Sequence, residues 1–375
     1  MKIGIDASLV VGEKAGVGWA TANLIEALAT VDQKNQYSLY PFFYYIFDPR
    51  FKELVAPAEN FSIRFEALSE AWIRYLWFES RIPRHRLLGK VDVLHSTTFC
   101  CPPVHSGKLV VTIYDVSFVH YPECHTEANR IHCLTGTLES AMQADRIIAI
   151  SQNTKKDLVE YFNLQEDRIA VIPLAAREEF HPRPMEEAKP FVAKRWGLDK
   201  PYLLSVGTVE PRKNLRHLIQ VYCRLPEEFR EEYPLVIAGG GGWMSSDIYQ
   251  WILEMGAESS IHFLGYVIDD LPWLYCGAAC FVYPSLYEGF GMPPLEAMAS
   301  GVPVITSNTS SLPEVVGNAA LLIDPESEEE LRSAILKVTS APTLQQSMSE
   351  KGLARATKFS WEQIARDTLK VYETC

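Results

Sequence analysis

Residues 279–301 read ACFVYPSLYEGFGMPPLEAMASG, and this stretch decides the fold. The apolar run Ala279–Pro284 predicts a buried strand, and the residues after it predict a loop that leads directly into a helix. Gly289 and Gly291 allow backbone conformations that other residues resist, and Pro293 suits the first turn of a helix. A buried strand, a loop and a helix in succession are typical of an α/β fold with a parallel sheet.

Two carboxylates stand on this loop and helix, Glu288 and Glu296. The amides at the beginning of a helix have no intrahelical partner, and together with the helix dipole they favour the oxygens of a phosphate group. Glu296 lies within the first two turns of the helix, where its carboxylate can accept hydrogen bonds from two adjacent hydroxyls, such as those of a ribose. The pattern therefore predicts a site for an activated sugar. A surface Glu and a helix-start Glu beside ordinary loop glycines are the alternative interpretation.

The two acids are separated by seven residues, and Gly-Val-Pro-Val follows at 301–304. In this respect the chain resembles the retaining glycosyltransferases of family 4, which have the GT-B fold. Further similarities lie at the glycine-rich start of the chain, in Ser205–Asn214 and in the turn Phe263–Val267. The resemblance implies that Glu288 faces the donor sugar and that Glu296 faces the ribose of the nucleotide.

Length and composition describe a globular protein of about two domains. The chain has 375 residues, of which 47% are hydrophobic and 22% are charged, as in folded proteins rather than disordered ones. The formal net charge of −12 argues against nucleic-acid binding, which relies on clustered positive charge. Met1–Asp6 already reads as a strand, and no apolar run approaches the roughly 20 residues of a membrane-spanning helix. We therefore expect a cytoplasmic protein.

Strand-like and helix-like segments alternate along the whole chain, which is the signature of parallel sheets flanked by helices. The fold class predicted is α/β of the GT-B type, with two Rossmann-like, doubly wound, parallel-sheet domains facing across a cleft. In such sheets ligands bind beyond the carboxyl ends of the strands. The predicted strands are 2–7, 37–44, 91–96, 108–115, 146–151 and 168–173 in the first domain, and 202–207, 234–239, 261–265, 279–285, 303–307 and 319–324 in the second.

The domain boundary is expected near residue 180. Residues 181–190 read HPRPMEEAKP, a polar segment with three prolines, and this is the predicted linker. We predict an N-terminal domain over 1–180, which the resemblance makes the acceptor-binding domain, and a C-terminal nucleotide-sugar-binding domain over 181–360. The resemblance also implies that the last helix, within 361–375, packs back on the first domain.

Arg212 and Lys213 follow the predicted strand 202–207 and place two cations at the edge of a sheet in an otherwise acidic chain. Such cations would stabilise a diphosphate leaving group as negative charge builds on it. Two solvated loop charges are the alternative. Many relatives in the resembled family carry an Arg directly after the glycine at the position of Gly207, whereas this chain has Thr208. We therefore expect Arg212 to supply that charge.

Two glycine runs lie in loops that follow strands. Gly16 and Gly18 stand between the first strand and the first helix, where a backbone can approach a diphosphate or an acceptor closely. This run also matches part of the GxGxxG pattern of NAD-binding proteins, but the sixth position is Thr21, so hydride transfer is a distant alternative. The run Gly239–Gly242 is expected to bring its loop close to the donor, with a flexible turn as the alternative.

Asp115 ends the predicted strand 108–115 and is expected to point into the cleft with a catalytic role. Relatives in the resembled family often read His-Asp here, the His contacting the donor sugar, whereas this chain has Tyr114. Because a tyrosine does not titrate near neutral pH, no general base is assigned at that position. His95 and His120 are further candidates, each with a packed structural histidine as the alternative.

The sequence predicts a reaction without a metal or cofactor. It contains no Asp-x-Asp pair, and its eight cysteines lack the paired Cys-x-x-Cys spacing of a zinc site. Arg212, Lys213 and a helix N-terminus can neutralise a diphosphate in place of a divalent ion.

Residues 71–86 read AWIRYLWFESRIPRHR and combine aromatics with four arginines. Such a segment can lie on an anionic membrane surface and present a lipid-linked acceptor. A core helix with a solvated basic end is the first interpretation, and the membrane-surface segment is the alternative. The expected location is therefore cytoplasmic, with a peripheral position at the cytoplasmic face of the inner membrane as the alternative.

The resemblance implies transfer of a hexose, with retention, from a nucleotide diphosphate to a hydroxyl of a glycan or lipid-linked acceptor. The sequence of 207–214 is most similar to mannosyltransferases of surface polysaccharide assembly, so GDP-mannose is the first expected donor, with UDP-glucose or a UDP-N-acetylhexosamine as the alternative. More distant alternatives are a nucleotide-sugar epimerase or hydrolase and a non-catalytic two-lobed sugar-binding module. The catalytic candidates are Glu288, Arg212, Lys213 and Asp115, and the donor-binding candidates are Glu296, Gly289, Phe290, Gly291, Met292, Leu295, Tyr266, Val267, Gly207, Thr208, Gly16 and Gly18.

Overall fold

The structure is a computed structural model that describes residues 1–12, 14–41, 54–64, 71–72, 75–76, 86, 89–99, 107–242 and 248–375. The chain divides into two units. The first consists of Met1–Val116, Ala128–Leu174 and Ser360–Cys375, and the second of Ser117–Glu127 and Ala175–Phe359. The second unit thus includes a short segment, Ser117–Glu127, that the predicted domain ranges did not assign to it.

The first unit contains a seven-stranded parallel sheet in the order β3-β2-β1-β4-β5-β6-β7. Its strands are β1 (Lys2–Asp6), β2 (Gln36–Tyr40), β3 (Phe61–Ile63), β4 (Val93–Ser96), β5 (Lys108–Ile113), β6 (Arg146–Ala149) and β7 (Ile169–Val171). Its longer helices are Gly16–Val31, Glu127–Gln143, Gln152–Phe162 and Trp361–Glu373. The last of these packs on the first, and it buries Ile364, Ala365, Val371 and Tyr372.

The second unit contains a six-stranded parallel sheet in the order β10-β9-β8-β11-β12-β13. Its strands are β8 (Leu203–Val206), β9 (Leu235–Ala238), β10 (Ile261–Gly265), β11 (Cys280–Tyr283), β12 (Val304–Ser307) and β13 (Leu321–Ile323). Its helices are Ser117–His120, Met185–Trp196, Leu215–Cys223, Glu227–Glu232, Ile248–Glu254, Leu271–Gly277, Met292–Ala299, Leu312–Val316, Glu328–Thr339 and Pro342–Ala356. Two parallel α/β sheets confirm the predicted fold class.

Three local predictions differ from the structure. The predicted linker is wrong from Met185 onward, because Met185–Trp196 is a helix that contains Pro190 and buries Ala188 and Val192. Strand β3 was not predicted, since only three residues pair, at the edge of the sheet. Strand β2 begins at Gln36 and ends at Tyr40; residues 42–44 of the predicted strand lie outside the described part of the chain.

The order of the strands decides where a ligand can bind in each unit. In the second sheet β8 is followed along the chain by β9 and β10 on one side, and β11, β12 and β13 lie on the other. The strand order therefore reverses between β8 and β11, which pair directly. The loops beyond the carboxyl ends of two such strands diverge and leave a crevice for ligands. In the first sheet the corresponding pair is β1 and β4.

Candidate functional site

The two strands at the reversal of the second sheet are followed by loops that touch each other. The β8 loop (residues 207–214) runs from Gly207 to the helix Leu215–Cys223, and the β11 loop (residues 284–291) runs to the helix Met292–Ala299. The amide of Leu286 donates to the carbonyl of Arg212 at 2.9 Å, and Ser285 Oγ lies 3.0 Å from the same carbonyl oxygen. The predicted site residues of these loops are thus brought together.

An ionic cluster of Glu210, Arg212, Lys213 and Glu288 occupies the junction of the two loops. Arg212 Nη1 lies 2.9 Å from Glu288 Oε2, and Lys213 Nζ lies 2.7 Å from Glu288 Oε1. Arg212 Nη2 lies 2.6 Å from Glu210 Oε1. Two acids and two cations therefore balance in charge, and all four side chains are largely buried. The sequence analysis assigned no role to Glu210, although it follows β8 in the same motif.

The carboxyl group of Glu288 is held in its ionised form. Burial by itself opposes ionisation of this carboxyl, but Arg212, Lys213 and the hydrogen bonds from Lys213 and Ser285 outweigh burial and lower its pKa to about 2. The Tyr283 hydroxyl also donates to Glu288 Oε1, at 2.7 Å. An acid that stays charged at every physiological pH is suited to accept hydrogen bonds and to stabilise positive charge.

Serines and a tyrosine that the sequence analysis passed over hold the β11 loop in place. The Ser285 hydroxyl donates to Glu288 Oε1 at 2.6 Å, and the Glu288 amide donates to Ser310 Oγ at 2.9 Å. The Ser311 hydroxyl lies 2.8 Å from the carbonyl oxygens of both Glu288 and Phe290, which share its single proton. Ser285 lies three positions before Glu288, but Ser310 and Ser311 come from another loop, so no local signal identifies them.

Glu296 lies on the helix Met292–Ala299 in different surroundings. The Tyr275 hydroxyl donates to Glu296 Oε2 at 3.3 Å. Burial raises the pKa of the Glu296 carboxyl to about 7, against the lowering effects of the Arg177 charge and the Tyr275 hydrogen bond. At neutral pH this carboxyl is therefore divided between its neutral and charged forms. Arg177 pairs with Glu179 at 2.7 Å, and neither residue was singled out from the sequence.

The predicted donor-binding residues of the β11 loop and its helix differ in exposure. Phe290 is buried and packs edge-on against Phe359, with ring centroids 5.6 Å apart, and Leu295 is fully buried. Gly291 has a φ of +113° at the N-cap of the helix, so a glycine is needed there. The side chains of Phe290 and Leu295 thus contribute to packing. Gly289 and Gly291 can offer a ligand only their backbone, and Met292 is partly exposed.

The glycine run Gly239–Gly242 packs against the β8 loop. A Cβ at Gly239 would lie 1.8 Å from the carbonyl oxygen of Gly207, and one at Gly242 would lie 2.7 Å from the Thr208 side chain. Gly207 itself has a φ of +152°. The missing side chains therefore allow the loop after β9 to cross the β8 loop at backbone distance.

Tyr266 and Val267 follow β10 at the same edge of the sheet. Gly265 ends this strand with a φ of +68°, and Tyr266 is 44% exposed. The expected contact of the Tyr266 and Val267 backbone with the nucleotide base stays a prediction.

The predicted residues of the first unit lie at the carboxyl ends of its own strands. Asp115 follows β5 and Tyr114, and burial raises the pKa of the Tyr114 hydroxyl above its usual range. Gly16 begins the helix Gly16–Val31. A Cβ at Gly18 would lie 2.3 Å from the carbonyl of Leu9, so the fold itself requires this glycine.

The two candidate histidines have different surroundings. His95 is fully buried, and its ring nitrogens lie 2.7 Å from the Tyr372 hydroxyl and 2.8 Å from Thr112 Oγ1. Burial lowers the pKa of the His95 ring to about 3. His95 is therefore a packed structural histidine. His120 lies in the second unit, where its ring stacks on Tyr287.

Two expectations concern metal and membrane. Among the described residues, no group of three His, Cys, Asp or Glu side chains is arranged to hold a metal ion. No helix in the described ranges is long and apolar enough to cross a membrane. Most of the basic aromatic segment 71–86 lies outside the described residues, apart from Ala71, Trp72, Tyr75, Leu76 and Arg86.

Two units that each contain a parallel α/β sheet are the architecture of the GT-B glycosyltransferases. Residues 15–179 match the family model of Glycosyltransferase Family 4, and residues 187–355 match that of Glycosyl transferases group 1. The chain is 39% identical over 283 residues to the O-antigen chain mannosyltransferase B of Escherichia coli, an alignment that covers 75% of this chain and 74% of that protein. The protein therefore belongs to the family 4 glycosyltransferases.

Solved structures with the same fold extend the comparison. Sucrose-phosphate synthase from Thermosynechococcus elongatus superimposes with a TM-score of 0.79 at 21% identity, covering 100% of this chain and 98% of that one. Anabaena HepE in complex with UDP and glucose gives a TM-score of 0.75 at 17% identity, with 100% of both chains covered. At these identities the likeness shows the fold, and the predicted GT-B architecture is confirmed.

Proposed function

We propose that the protein transfers mannose from GDP-mannose to a hydroxyl group of a glycan or lipid-linked acceptor, with retention of the anomeric configuration. The observation that carries this proposal is the ionic cluster at the strand reversal of the second unit, where Arg212 and Lys213 surround Glu288. The choice of mannose is supported by the name of the Escherichia coli relative, an O-antigen chain mannosyltransferase. UDP-glucose and UDP-N-acetylhexosamines are the donors against which this choice is tested.

Arg212 and Lys213 would stabilise the departing diphosphate. Both cations contact Glu288, at 2.9 and 2.7 Å, so a diphosphate beside this acid would also lie beside the two positive charges. As the bond from the sugar to the diphosphate loosens, negative charge builds on the phosphate oxygens, and two fixed cations in a largely buried site attract this charge more strongly than water would. The stabilisation is therefore greatest in the transition state.

Glu288 would orient the hydroxyl groups of the donor sugar. Its low pKa keeps it ionised, so it accepts hydrogen bonds from sugar hydroxyls, and its charge favours the positive, oxocarbenium-like state of the sugar. In a retaining transfer of this kind the acceptor attacks from the side of the leaving group, and its proton passes to the departing phosphate. This route explains why no neutral-pH base is required at Tyr114.

We assign the remaining donor-binding roles to Glu296, to the backbone after β10 and to the amides at the beginning of the helix Met292–Ala299. Glu296 would accept hydrogen bonds from the ribose hydroxyls, and the backbone of Tyr266 and Val267 would meet the base. Amides from Gly289 to Met292, at the beginning of a helix, would contact the diphosphate. In the second unit, Gly207 and Thr208 would contact the diphosphate. In the first unit, Gly16, Gly18 and Asp115 would contact the donor phosphates or the acceptor.

The proposal includes a reaction that does not depend on a divalent ion and a location at the cytoplasmic face of the inner membrane. The paired cations Arg212 and Lys213, and a sequence without an Asp-x-Asp pair, support the first point. The second rests on the basic aromatic segment 71–86, in which Trp72 and Tyr75 are exposed. The transfer activity should persist in excess EDTA if no divalent ion is needed. The protein should bind to anionic vesicles if it lies at the membrane face.

The test is a transfer assay with a panel of nucleotide sugars. The melting temperature of the unmodified protein should rise more on addition of GDP than on addition of UDP, ADP or TDP. A ligand that binds only the folded state stabilises that state. It should release GDP from GDP-mannose in the presence of a mannose-containing acceptor. Turnover of UDP-glucose but not of GDP-mannose would overturn the choice of donor, and release of free sugar or an epimer without acceptor would favour a hydrolase or epimerase.

Two variants test the roles of the acids. Glu288→Ala should keep GDP binding and lose most turnover, because Glu288 is proposed to interact with the sugar in the transition state. Glu296→Ala should weaken GDP binding, because Glu296 is proposed to contact the ribose. Isothermal titration with GDP and a GDP-release assay measure the two effects separately. Equal turnover and equal GDP affinity in both variants would contradict the assignment.

A further inference from the structure

The second unit holds a short segment that comes from the middle of the first unit's sequence. The crossing segment (Ser117–Glu127) begins just after Asp115 and Val116 and returns to the first unit at Ala128. It contains the short helix Ser117–His120 and a turn of 3₁₀ helix at Pro122–Cys124. A hydrogen bond of 3.2 Å between Ser117 Oγ and His125 Nε2 ties its two ends together. The segment is therefore a closed, locally ordered structure.

The crossing segment covers the ring of Tyr287. The imidazole of His120 stacks on this ring, with centroids 4.9 Å apart and planes inclined by 25°. The ring of Tyr121 lies 6.2 Å away at 53°. Tyr287 is only 4% exposed, although it lies in a loop. Rings at such distances attract one another beyond the burial of their area.

The backbone of Tyr287 contacts the ionic cluster. Its carbonyl oxygen accepts a hydrogen bond from Arg212 Nη1 at 2.7 Å, and the next residue, Glu288, pairs with the same Nη1 at 2.9 Å. A change in the backbone at Tyr287 therefore moves two of the acceptors that orient the Arg212 guanidinium. Ser310 and Ser311 hold the backbone on the far side of Tyr287, and the His120 ring packs on the Tyr287 side chain itself.

We propose that His120 is a positioning residue of the donor site: by stacking on Tyr287 it holds the carbonyl of Tyr287 and the carboxylate of Glu288 against Arg212. This inference rests on the proposed function, because it assumes that Arg212 meets the donor diphosphate. His120 itself does not touch the reacting atoms. The required property of the residue is a flat, stackable ring, and its protonation state is not part of the effect.

The experiment compares two substitutions at the same position. His120→Ala removes the ring, and the loss of a stacked aromatic pair should lower kcat/KM for the nucleotide sugar by about 3- to 10-fold. The larger part of the loss should appear in kcat, because the cations act chiefly on the transition state. His120→Phe keeps a stackable ring without titratable nitrogens and should restore kcat/KM to within about twofold of the unmodified protein.

A matched control separates positioning from packing. Phe229 and Tyr233 form a stacked pair of similar geometry, 5.1 Å and 22°. Phe229 lies in the helix Glu227–Glu232 and Tyr233 caps its C-terminus. This helix precedes β9, so the pair lies at the amino ends of the strands, opposite the site. Phe229→Ala should lower the melting temperature about as much as His120→Ala but leave kcat/KM within about twofold. In the background of Tyr287→Ala, His120→Ala should cause no further loss, since the pair is already broken.

The outcomes are distinct. Unchanged kcat/KM in His120→Ala, an equal loss in His120→Phe, an equal loss in Phe229→Ala, or full additivity with Tyr287→Ala would each overturn the inference. If the unmodified protein transfers no sugar from any nucleotide donor, it is the proposed function that fails. In that case the stacking is still testable by NMR, as an upfield shift of the His120 Cε1 proton that disappears in Tyr287→Leu.

Discussion

Glu288 and Glu296 belong to one loop and its helix, yet their surroundings shift their pKa values in opposite directions. Two cations and hydrogen bonds lower the pKa of Glu288 to about 2, whereas burial raises that of Glu296 to about 7. Pairs of titratable groups that are driven apart in this way usually have separate tasks in an active site. Each shift has a measurable consequence for stability or binding.

Replacement of Glu288 by Gln should destabilise the protein in a way that depends on pH. Since folding lowers the pKa of Glu288 from 4.5 to about 2, the charged carboxylate contributes stability above about pH 4.5, on the order of 3 kcal/mol. This contribution is lost as the pH falls from about 4.5 through 2. The difference in free energy of unfolding between the unmodified protein and Glu288→Gln should therefore shrink over that range, as measured by urea denaturation.

The exposed Glu258 is the control for that series. Glu258→Gln should change the free energy of unfolding by less than about 0.5 kcal/mol, as surface substitutions usually do. A Glu288→Gln difference that stays constant between pH 6 and pH 3 would contradict the ion-pairing described for the cluster.

The affinity for GDP should increase as Glu296 ionises. Only the charged carboxylate is a pure acceptor for the ribose hydroxyls, and with a pKa of about 7 the charged fraction rises between pH 6 and pH 8. The dissociation constant of GDP, measured by isothermal titration, should fall by up to roughly tenfold over this range. Glu296→Gln should bind GDP weakly, and its dissociation constant should depend less on pH. Any pH dependence that remains in this variant measures the titration of GDP itself. Parallel profiles in both proteins would contradict the role given to Glu296.

Ionisation of the Glu296 carboxyl favours GDP binding but lowers the stability of the folded protein. Its folded pKa lies above the value of 4.5 for a free glutamate, so the folded state binds more protons and stability declines as the pH rises from about 4.5 through 7. Glu296→Gln should gain in free energy of unfolding relative to the unmodified protein over that interval. Thus Glu296 costs stability at the pH at which it is proposed to bind ligand.

At the scale of single residues, the sequence identified which acids and cations matter but not how they pair. Lys213 and Glu288 are 75 positions apart, and nothing in the local pattern tells whether Lys213 meets Glu288, Glu210 or solvent. The supporting hydroxyls of Ser310 and Ser311 were missed for the same reason. Pairing depends on which loops the sheet brings together, and only the strand order fixes that.

At the scale of elements, the loops after β8 and β9 fit together because Gly239 has no side chain. A Cβ there would lie 1.8 Å from the carbonyl oxygen of Gly207, whereas a Cβ at Gly241 would meet nothing within 4 Å. Such a backbone contact is removed only by moving one loop away from the other. The crossing of these two loops is therefore sensitive to single methyl groups.

Gly239→Ala should destabilise the protein by more than about 2 kcal/mol and weaken GDP binding, because the β8 loop has to shift. Gly241→Ala, two residues along the same run, should change the free energy of unfolding by less than about 0.5 kcal/mol. Urea denaturation and GDP titration of both variants provide the comparison. Equal effects of the two substitutions would show that the run is a flexible turn, as the alternative interpretation of the sequence has it.

Elements with strong periodic signals were predicted well, and weak or contradictory ones were not. Buried apolar runs located twelve strands, since parallel strands covered on both faces read as continuous hydrophobic segments. Strand β3 pairs over only three residues, which is too short for a periodic signal. The helix Met185–Trp196 was taken for a linker because Pro190 and several charges suggested a break, yet Ala188 and Val192 are buried on one face.

At the scale of the whole molecule, each unit has its own buried core and its own internal hydrogen bonds. In the first unit the Tyr372 hydroxyl lies 2.7 Å from His95 Nδ1, which joins the last helix to β4. In the second, the Tyr202 hydroxyl donates to the carbonyl of Leu274. Both tyrosines are almost completely buried, so they form a matched pair for a test of local stability.

Tyr372→Phe should destabilise the first unit by about 1–3 kcal/mol, because it leaves a buried ring nitrogen of His95 without its partner. Hydrogen exchange should then increase in Trp361–Glu373 and in β4. Tyr202→Phe should increase exchange in β8 and in Leu271–Gly277 instead. A uniform increase along the chain in both variants would contradict the division into two units with separate cores.

The crossing segment has a practical consequence for the construction of chimeras. An exchange of donor preference between relatives by swapping C-terminal halves at Ala175 would transplant Tyr287 and Glu288 but leave behind His120 and Tyr121, which arrive earlier in the chain. The hybrid would then pair one parent's loop with the other parent's rings. A faithful graft needs two cassettes, residues 117–127 and 175–359, taken from the same parent.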